Sequence, residues 1–164
     1  MTARVLVAGI GNLFCGDDGF GPEVVRRLAA SGTLPGEVRA VDYGIRGMHL
    51  AYDLLDGYDA LVIVDLVPEG DAPGAVAVLV VGDEGLEHGD FDPHGMAPVA
   101  MLGSLAGLGG RLPPTYVVGC RPSDVGERIG LSPEVEAAVP RAMEAVHAVL
   151  RERVPALAAT EGGG

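Results

Sequence analysis

A glycine-rich turn between an apolar run and a helical pattern limits the folds open to this chain more than any other feature. Arg4–Ala8, with the apolar run Val5-Leu6-Val7-Ala8, reads as a short buried strand, and it leads into Gly9-Ile10-Gly11-Asn12-Leu13-Phe14-Cys15-Gly16-Asp17-Asp18-Gly19-Phe20-Gly21. Pro22 suits the first turn of a helix and Glu23 favours its positive end. Val24, Val25, Leu28 and Ala29 then recur at helical spacing up to Gly32, with Arg26 and Arg27 toward solvent. A strand, a tight turn and a helix in this order belong to an α/β fold with a mostly parallel sheet.

The later segments agree. Glu37–Val41 is a weaker strand closed by Asp42-Tyr43-Gly44. Met48, Leu50, Ala51, Leu54 and Leu55 suggest a second helix ending at Gly57. Leu61-Val62-Ile63-Val64, apolar throughout and terminated by Asp65, reads as a parallel strand covered on both faces. Ala75–Val81 is another strand, and the short connection before it predicts an antiparallel arrangement if the two pair directly. An acidic loop over 82–93 ends at His94, and 97–108 can form a third helix. Tyr116-Val117-Val118 is the last strand. Ser132 is a candidate N-cap with Pro133 behind it, and Pro140 is expected to restart or kink the closing helix carried by Met143, Val146, Val149 and Leu150. The expectation is one α/β domain over 1–159, with about five strands, one of them antiparallel, and helices on both faces. A frayed tail is expected over 160–164.

Composition excludes several partners. A net charge of −12, with 11 Lys+Arg against 23 Asp+Glu, leaves no basic face to displace counterions from nucleic acid. No apolar run is long enough for a membrane span. The first strand follows Met1-Thr2-Ala3-Arg4 directly, so no signal peptide is expected and a cytoplasmic location is. Cys15 and Cys120 are then expected to be reduced thiols.

The glycine turn invites a dinucleotide reading, since Gly9 and Gly11 match the first two glycines of that fingerprint and Asp42 ends the second strand. The third glycine position holds Phe14, and no Lys-Ser/Thr pair follows for a phosphate-binding P-loop. Charge weighs more heavily. Asp17 and Asp18 occupy the helix entrance where a phosphate would sit, and would repel it by several kcal/mol at an effective dielectric of about 20. One of the two acids could instead cap the helix.

In a parallel sheet, ligands bind beyond the carboxyl ends of the strands. Asp18, Asp42, Asp65 and His94 all fall at that edge. Mixed carboxylate and imidazole donors suit a borderline divalent metal such as Ni, Zn, Mn or Fe, or could serve as acid/base machinery. Asp42 could equally satisfy amides of its own turn. His49, His88 and His147 lack comparable placement. A cysteine nucleophile is disfavoured, because Asp17 and Asp18 beside Cys15 oppose a thiolate and Cys120 has no neighbouring base.

Taken in order, the glycine block from Gly9 to Gly21, Asp42-Tyr43-Gly44-Ile45-Arg46-Gly47-Met48, Val62-Ile63-Val64-Asp65, Pro93-His94 and Gly130-Leu131-Ser132-Pro133 resemble the nickel–iron hydrogenase maturation proteases. These endopeptidases trim the C-terminal extension of a hydrogenase large-subunit precursor. The resemblance implies that Asp18, Asp65 and His94 are the metal-binding and catalytic residues, and that the nickel is presented by the precursor. The partner implied is that precursor, met transiently by a monomer. The family typically has a small residue where this chain has Tyr43. A non-proteolytic nickel-handling module and a nucleotide-binding domain are the competing readings.

Overall fold

The computed structural model describes residues 4–45, 47–67, 70–81 and 113–154. Five strands form one sheet: β1 (Val5–Ile10), β2 (Val38–Gly44), β3 (Ala60–Leu66), β4 (Val76–Val81) and β5 (Thr115–Cys120). Their spatial order is β2-β1-β3-β5-β4. The first four of these run parallel, and β4 is antiparallel to β5. Three α-helices are described: α1 (Phe20–Ser31), α2 (Gly47–Leu54) and α3 (Pro133–Arg153).

The uninterrupted apolar runs of β1 and β3 have the burial that both-face coverage requires. Side chains of a strand alternate between faces. Val5 and Val7 therefore pack with Val62 and Val64 against Phe20, Val24 and Leu28 of α1 and Ala138, Ala142 and Val146 of α3. Leu6, Ala8 and Ile10 join Leu61 and Ile63 on the other face, beneath Leu50 and Leu54 of α2. Ala29, expected inward, is exposed one position past that stripe.

The chain leaves β1 for β2 on one side and returns to β3 on the other, so the switch point where such sheets bind ligands lies between β1 and β3. At that point α1 presses onto the sheet through Gly21. A Cβ there would fall 2.2 Å from the Val64 carbonyl oxygen and 2.5 Å from that of Ile10. Only glycine allows this approach.

Several boundaries differ from expectation. Asp42, Tyr43 and Gly44 belong to β2, because the parallel ladder continues to the pair Ile10–Gly44 beyond a bulge. Asp65 likewise lies inside β3, opposite Gly119 of β5. β3 and β4 do not pair. β5 is inserted between them, and β4 takes its antiparallel partner there. Gly19, without a side-chain bond, is the N-cap of α1, so neither Asp17 nor Asp18 caps it.

Ser132 does cap α3, with Pro133 in its first turn, but the helix runs unbroken through Pro140. Proline removes the bond to the carbonyl four residues earlier, here that of Glu136. Both residues are exposed, so water can satisfy the freed carbonyl, while Ala138, Val139 and Ala142 hold the buried face in register. The helix expected over 97–108, the acidic loop over 82–93, His94 and the tail over 160–164 lie outside the described residues.

Because Pro140 is exposed in a helix held by packing, Pro140→Ala is expected to stabilise the protein by about 1–3 kcal/mol, the helix-interior penalty of proline less its restriction of the unfolded chain. A shift of the urea midpoint at constant slope measures it.

Candidate active site

Beyond β1 the chain folds back on itself. Gly11 (φ 149°) is so close to the Asp18 carbonyl oxygen that a Cβ would lie 1.8 Å away. The Asn12 N–H then donates to Asp18 Oδ2 at 3.0 Å. Gly16–Gly19 forms a single 3-10 turn that delivers the chain into α1.

The amides of this loop are nearly all engaged. Gly11 N–H donates to the Gly44 carbonyl, Cys15 to Asn12, Gly16 to Arg128, Asp17 to Asp124 and Asp18 to Cys15. Phe14 N–H donates to Asn12 Oδ1 at 2.9 Å. A phosphate cradle needs such amides free. The loop resembles one in sequence only.

The two adjacent acids have opposite surroundings. Asp17 is 0% exposed. Its Oδ2 accepts the N–H groups of Ser123 and Asp124, each at 2.8 Å, and the Ser132 hydroxyl at 2.9 Å; its Oδ1 accepts Ser132 N–H at 2.7 Å. Burial acts to raise its pKa, yet these bonds outweigh it and hold the carboxyl below the ordinary range. Asp18 is half-buried and faces the other way. Burial raises its pKa, with the Asn12 N–H only partly opposing.

Asp65 is 8% exposed and accepts the Leu66 N–H at 2.7 Å. Burial pushes its carboxyl well above the usual carboxylate range, and the negative charge of Asp18 adds to the shift. The structure thus brings Asp18 and Asp65 together at the switch point. Asp42 is exposed on the edge strand, its Oδ1 accepting Gly44 N–H at 2.8 Å in the local turn expected of it. No cluster of three or more His, Cys, Asp or Glu able to hold a metal occurs among the described residues, and His94 lies outside them. Cys120 is fully buried, and its thiol is pushed up to about 11 by burial and then by the charge of Asp17, which makes it a poor nucleophile.

Beside the glycine loop a cleft of about 680 Å³ opens toward the end of β2 and α2. Exposed Leu13, Phe14, Ile45 and Tyr52 line it, with Asp42 and His49. Tyr43 forms part of its wall and donates to Asp53 Oδ2 at 2.6 Å, where burial raises the phenol pKa.

The family model described as hydrogenase maturation protease matches residues 22–149. The chain belongs to the hydrogenase maturation protease family. Its similarity to the hydrogenase 2 maturation protease of Escherichia coli K12 is 35% identity over 153 residues, covering 91% of this chain and 92% of that protein. The solved hydrogenase maturating endopeptidase HybD from E. coli superimposes with a TM-score of 0.77 at 33% identity, covering 92% of this chain and 93% of that one. The hydrogenase 2 maturation peptidase from a Thaumarchaeota archaeon gives 0.69 at 36%, covering 90% and 97%. The protein is thus an endopeptidase of hydrogenase maturation with the α/β fold expected from its sequence. No described helix is long and apolar enough to cross a membrane.

Reading the residues singly left Asp17 without a role beyond a structural one. Its partners lie more than 100 positions away, and the visible signal was the Gly130-Leu131-Ser132-Pro133 block, whose serine is one of them.

Two outcomes follow from the opposite pKa shifts. Asp17, depressed in the fold, contributes stability that is complete above the unfolded carboxylate pKa of about 3.9 and is lost as pH falls through the lower folded value. Asp17→Asn should therefore cost about 2–4 kcal/mol at neutral pH, since several bonds to a buried charge are weakened, and less in strong acid. Chemical denaturation across pH measures this. Asp65, raised in the fold, has the reverse sign: its penalty is absent below the unfolded pKa and grows as pH rises toward the folded value. Asp65→Asn should raise the thermal midpoint of the metal-free protein at pH 7 by a few degrees and leave it nearly unchanged near pH 3.

Proposed function

We propose that this endopeptidase removes the C-terminal extension of a nickel–iron hydrogenase large-subunit precursor after nickel insertion. Asp18, Asp65 and His94 complete the coordination of nickel that the precursor presents. The observation that carries this reading is the pairing of Asp18 with the buried Asp65, whose carboxyl is made costlier to ionise by burial and by the charge of Asp18. A divalent cation entering between them relieves that cost, and oxygen donors beside an imidazole suit nickel. The pair supplies acids only, so a third donor such as His94 is needed for the mixed set. Nickel is substrate cargo here, and its arrival sets when cleavage occurs.

Docked in this way, the precursor would lay the segment next to its nickel across the glycine loop, with the apolar cleft of Leu13, Phe14, Ile45 and Tyr52 alongside. The cleavage step requires a water positioned against the scissile carbonyl and a group to take its proton. One of the two carboxylates, Asp18 or Asp65, is placed to take that proton. The alternative is activation of the water by the presented nickel, which lowers the pKa of bound water. The partner is one large precursor met transiently, which suits a monomer, and the acidic surface suits neither nucleic acid nor an anionic membrane. The cytoplasm, where such a precursor is assembled, is the proposed location.

The test is cleavage of purified precursor, nickel-loaded and nickel-free, followed by intact mass. Loss of a C-terminal peptide from the loaded form alone is expected, with Asp65→Ala and His94→Ala slower by about a hundredfold or more. Equal rates on both forms, or wild-type activity of Asp65→Ala, would overturn the reading.

A further inference from the structure

Asp17 is the most heavily hydrogen-bonded carboxylate described, and the cleavage reading leaves it unused. Its four bonds all run to one segment, residues 123–132, between β5 and α3. The backbone reinforces the same junction: Gly16 N–H donates to the Arg128 carbonyl at 2.8 Å, Asp17 N–H to Asp124 at 2.9 Å, and Arg128 N–H to Phe14 at 3.1 Å. Cys15 and Arg128 thereby form an isolated parallel bridge. This segment is exposed over residues 123–130 but is tied into the core at both ends, by Val118 and Cys120 before it and by Val135 and Ala138 after it.

Asp17 and Asp18 are consecutive in a 3-10 turn, where successive side chains point about 120° apart. Fixing the direction of one therefore sets the direction of the other. With Asp17 seated in the 123–132 segment, Asp18 is turned toward Asn12 and Asp65. The bonds around Asp18 do not secure it equally, because its only described carboxylate bond comes from Asn12, itself a member of the same glycine loop.

We propose that Asp17 is a positioning residue: anchored by Ser123, Asp124 and Ser132, it orients the 3-10 turn so that Asp18 meets the precursor's nickel. The inference rests on the role assigned above to Asp18. It joins the glycine block and the Gly130-Leu131-Ser132-Pro133 block, distant in sequence, into one device. Ser132 has two duties there, capping α3 through Val135 N–H at 3.5 Å and donating its hydroxyl to Asp17.

A merely structural role would lower stability without specifically displacing Asp18, so two readouts are needed. The first is the amide resonance of Asn12, whose proton shift reports the bond to Asp18 Oδ2. The second is the rate of cleavage of nickel-loaded precursor. Both are measured for the full chain at a temperature where every variant is folded. Asp17→Asn should move the Asn12 amide toward the value seen in Asp18→Ala and slow cleavage by about tenfold to a hundredfold, the cost of a small misplacement of a reacting group. Val149→Ala, in the core of α3 and away from the site, should lower the thermal midpoint while leaving both readouts as in wild type. Should Asp17→Asn fail to fold, Ser132→Ala, which removes one of the four bonds together with the side-chain cap of α3, should shift both readouts in the same direction by less. An unchanged Asn12 amide in the folded Asp17 or Ser132 variant, or an equal change in Val149→Ala, would overturn the inference. Full cleavage by Asp18→Ala would instead overturn the role of Asp18 itself, while the Asn12 amide would still report whether Asp17 orients it.

Discussion

The close approach of α1 to the ends of β1 and β3 is the contact on which the carboxyl edge of this sheet depends. Gly21 lies so near the Val64 carbonyl that no side chain fits between them. Asp18 precedes Gly21 by less than one helical turn, and Asp65 follows Val64 directly. Helix and strand can approach this far only where a glycine stands, and the approach brings two carboxylates 47 positions apart in the chain to one point. A second glycine, Gly11, allows the loop to fold back over Asp18. The glycines of the turn therefore act through packing: they remove side chains where three stretches of backbone converge.

Three carboxylates in this small volume show how far environment overrides residue type. Asp17 is the least exposed of them, yet it is held ionised because donors from the segment before α3 surround it. Asp65 is almost as buried, and its burial, with the charge of Asp18 adding to it, raises the cost of ionising its carboxyl. Asp18, half-buried, lies between these extremes. A carboxylate saturated with hydrogen bonds serves as an anchor, and one that is desolvated beside a like charge is primed for a cation or a proton. The stability given up at Asp65 is the kind of local cost that functional sites carry, while the tight bonding at Asp17 supports the frame around it.

Much of the fold was legible because burial on both faces of a parallel sheet imposes uninterrupted apolar runs, and β1 and β3 have them. Helix ends were legible where local chemistry marks them, as with Gly32 after α1 and Ser132 before α3. Pro140 does not restart the helix, because the packing of Ala138, Val139 and Ala142 carries α3 past this exposed position, which local propensity alone does not include. The pairing of β4 was open because connection length limits which strands can be neighbours without saying which strand comes between them. The site was legible in part: Asp18 and Asp65 stood out as charges at strand ends, and their shared location does arise from the sheet.

The sequence by itself determined the α/β class, the glycine turn between β1 and α1, and the charges at the carboxyl edge, since each follows from short-range periodicity or from a residue out of keeping with its neighbours. Only the tertiary structure decided that Asp17 and Asp18 have different surroundings. They are adjacent and chemically identical, and what separates them is a turn that points one toward Ser123, Asp124 and Ser132 and the other toward Asp65. Those partners come from distant parts of the chain, and only folding sets their distances and solvation.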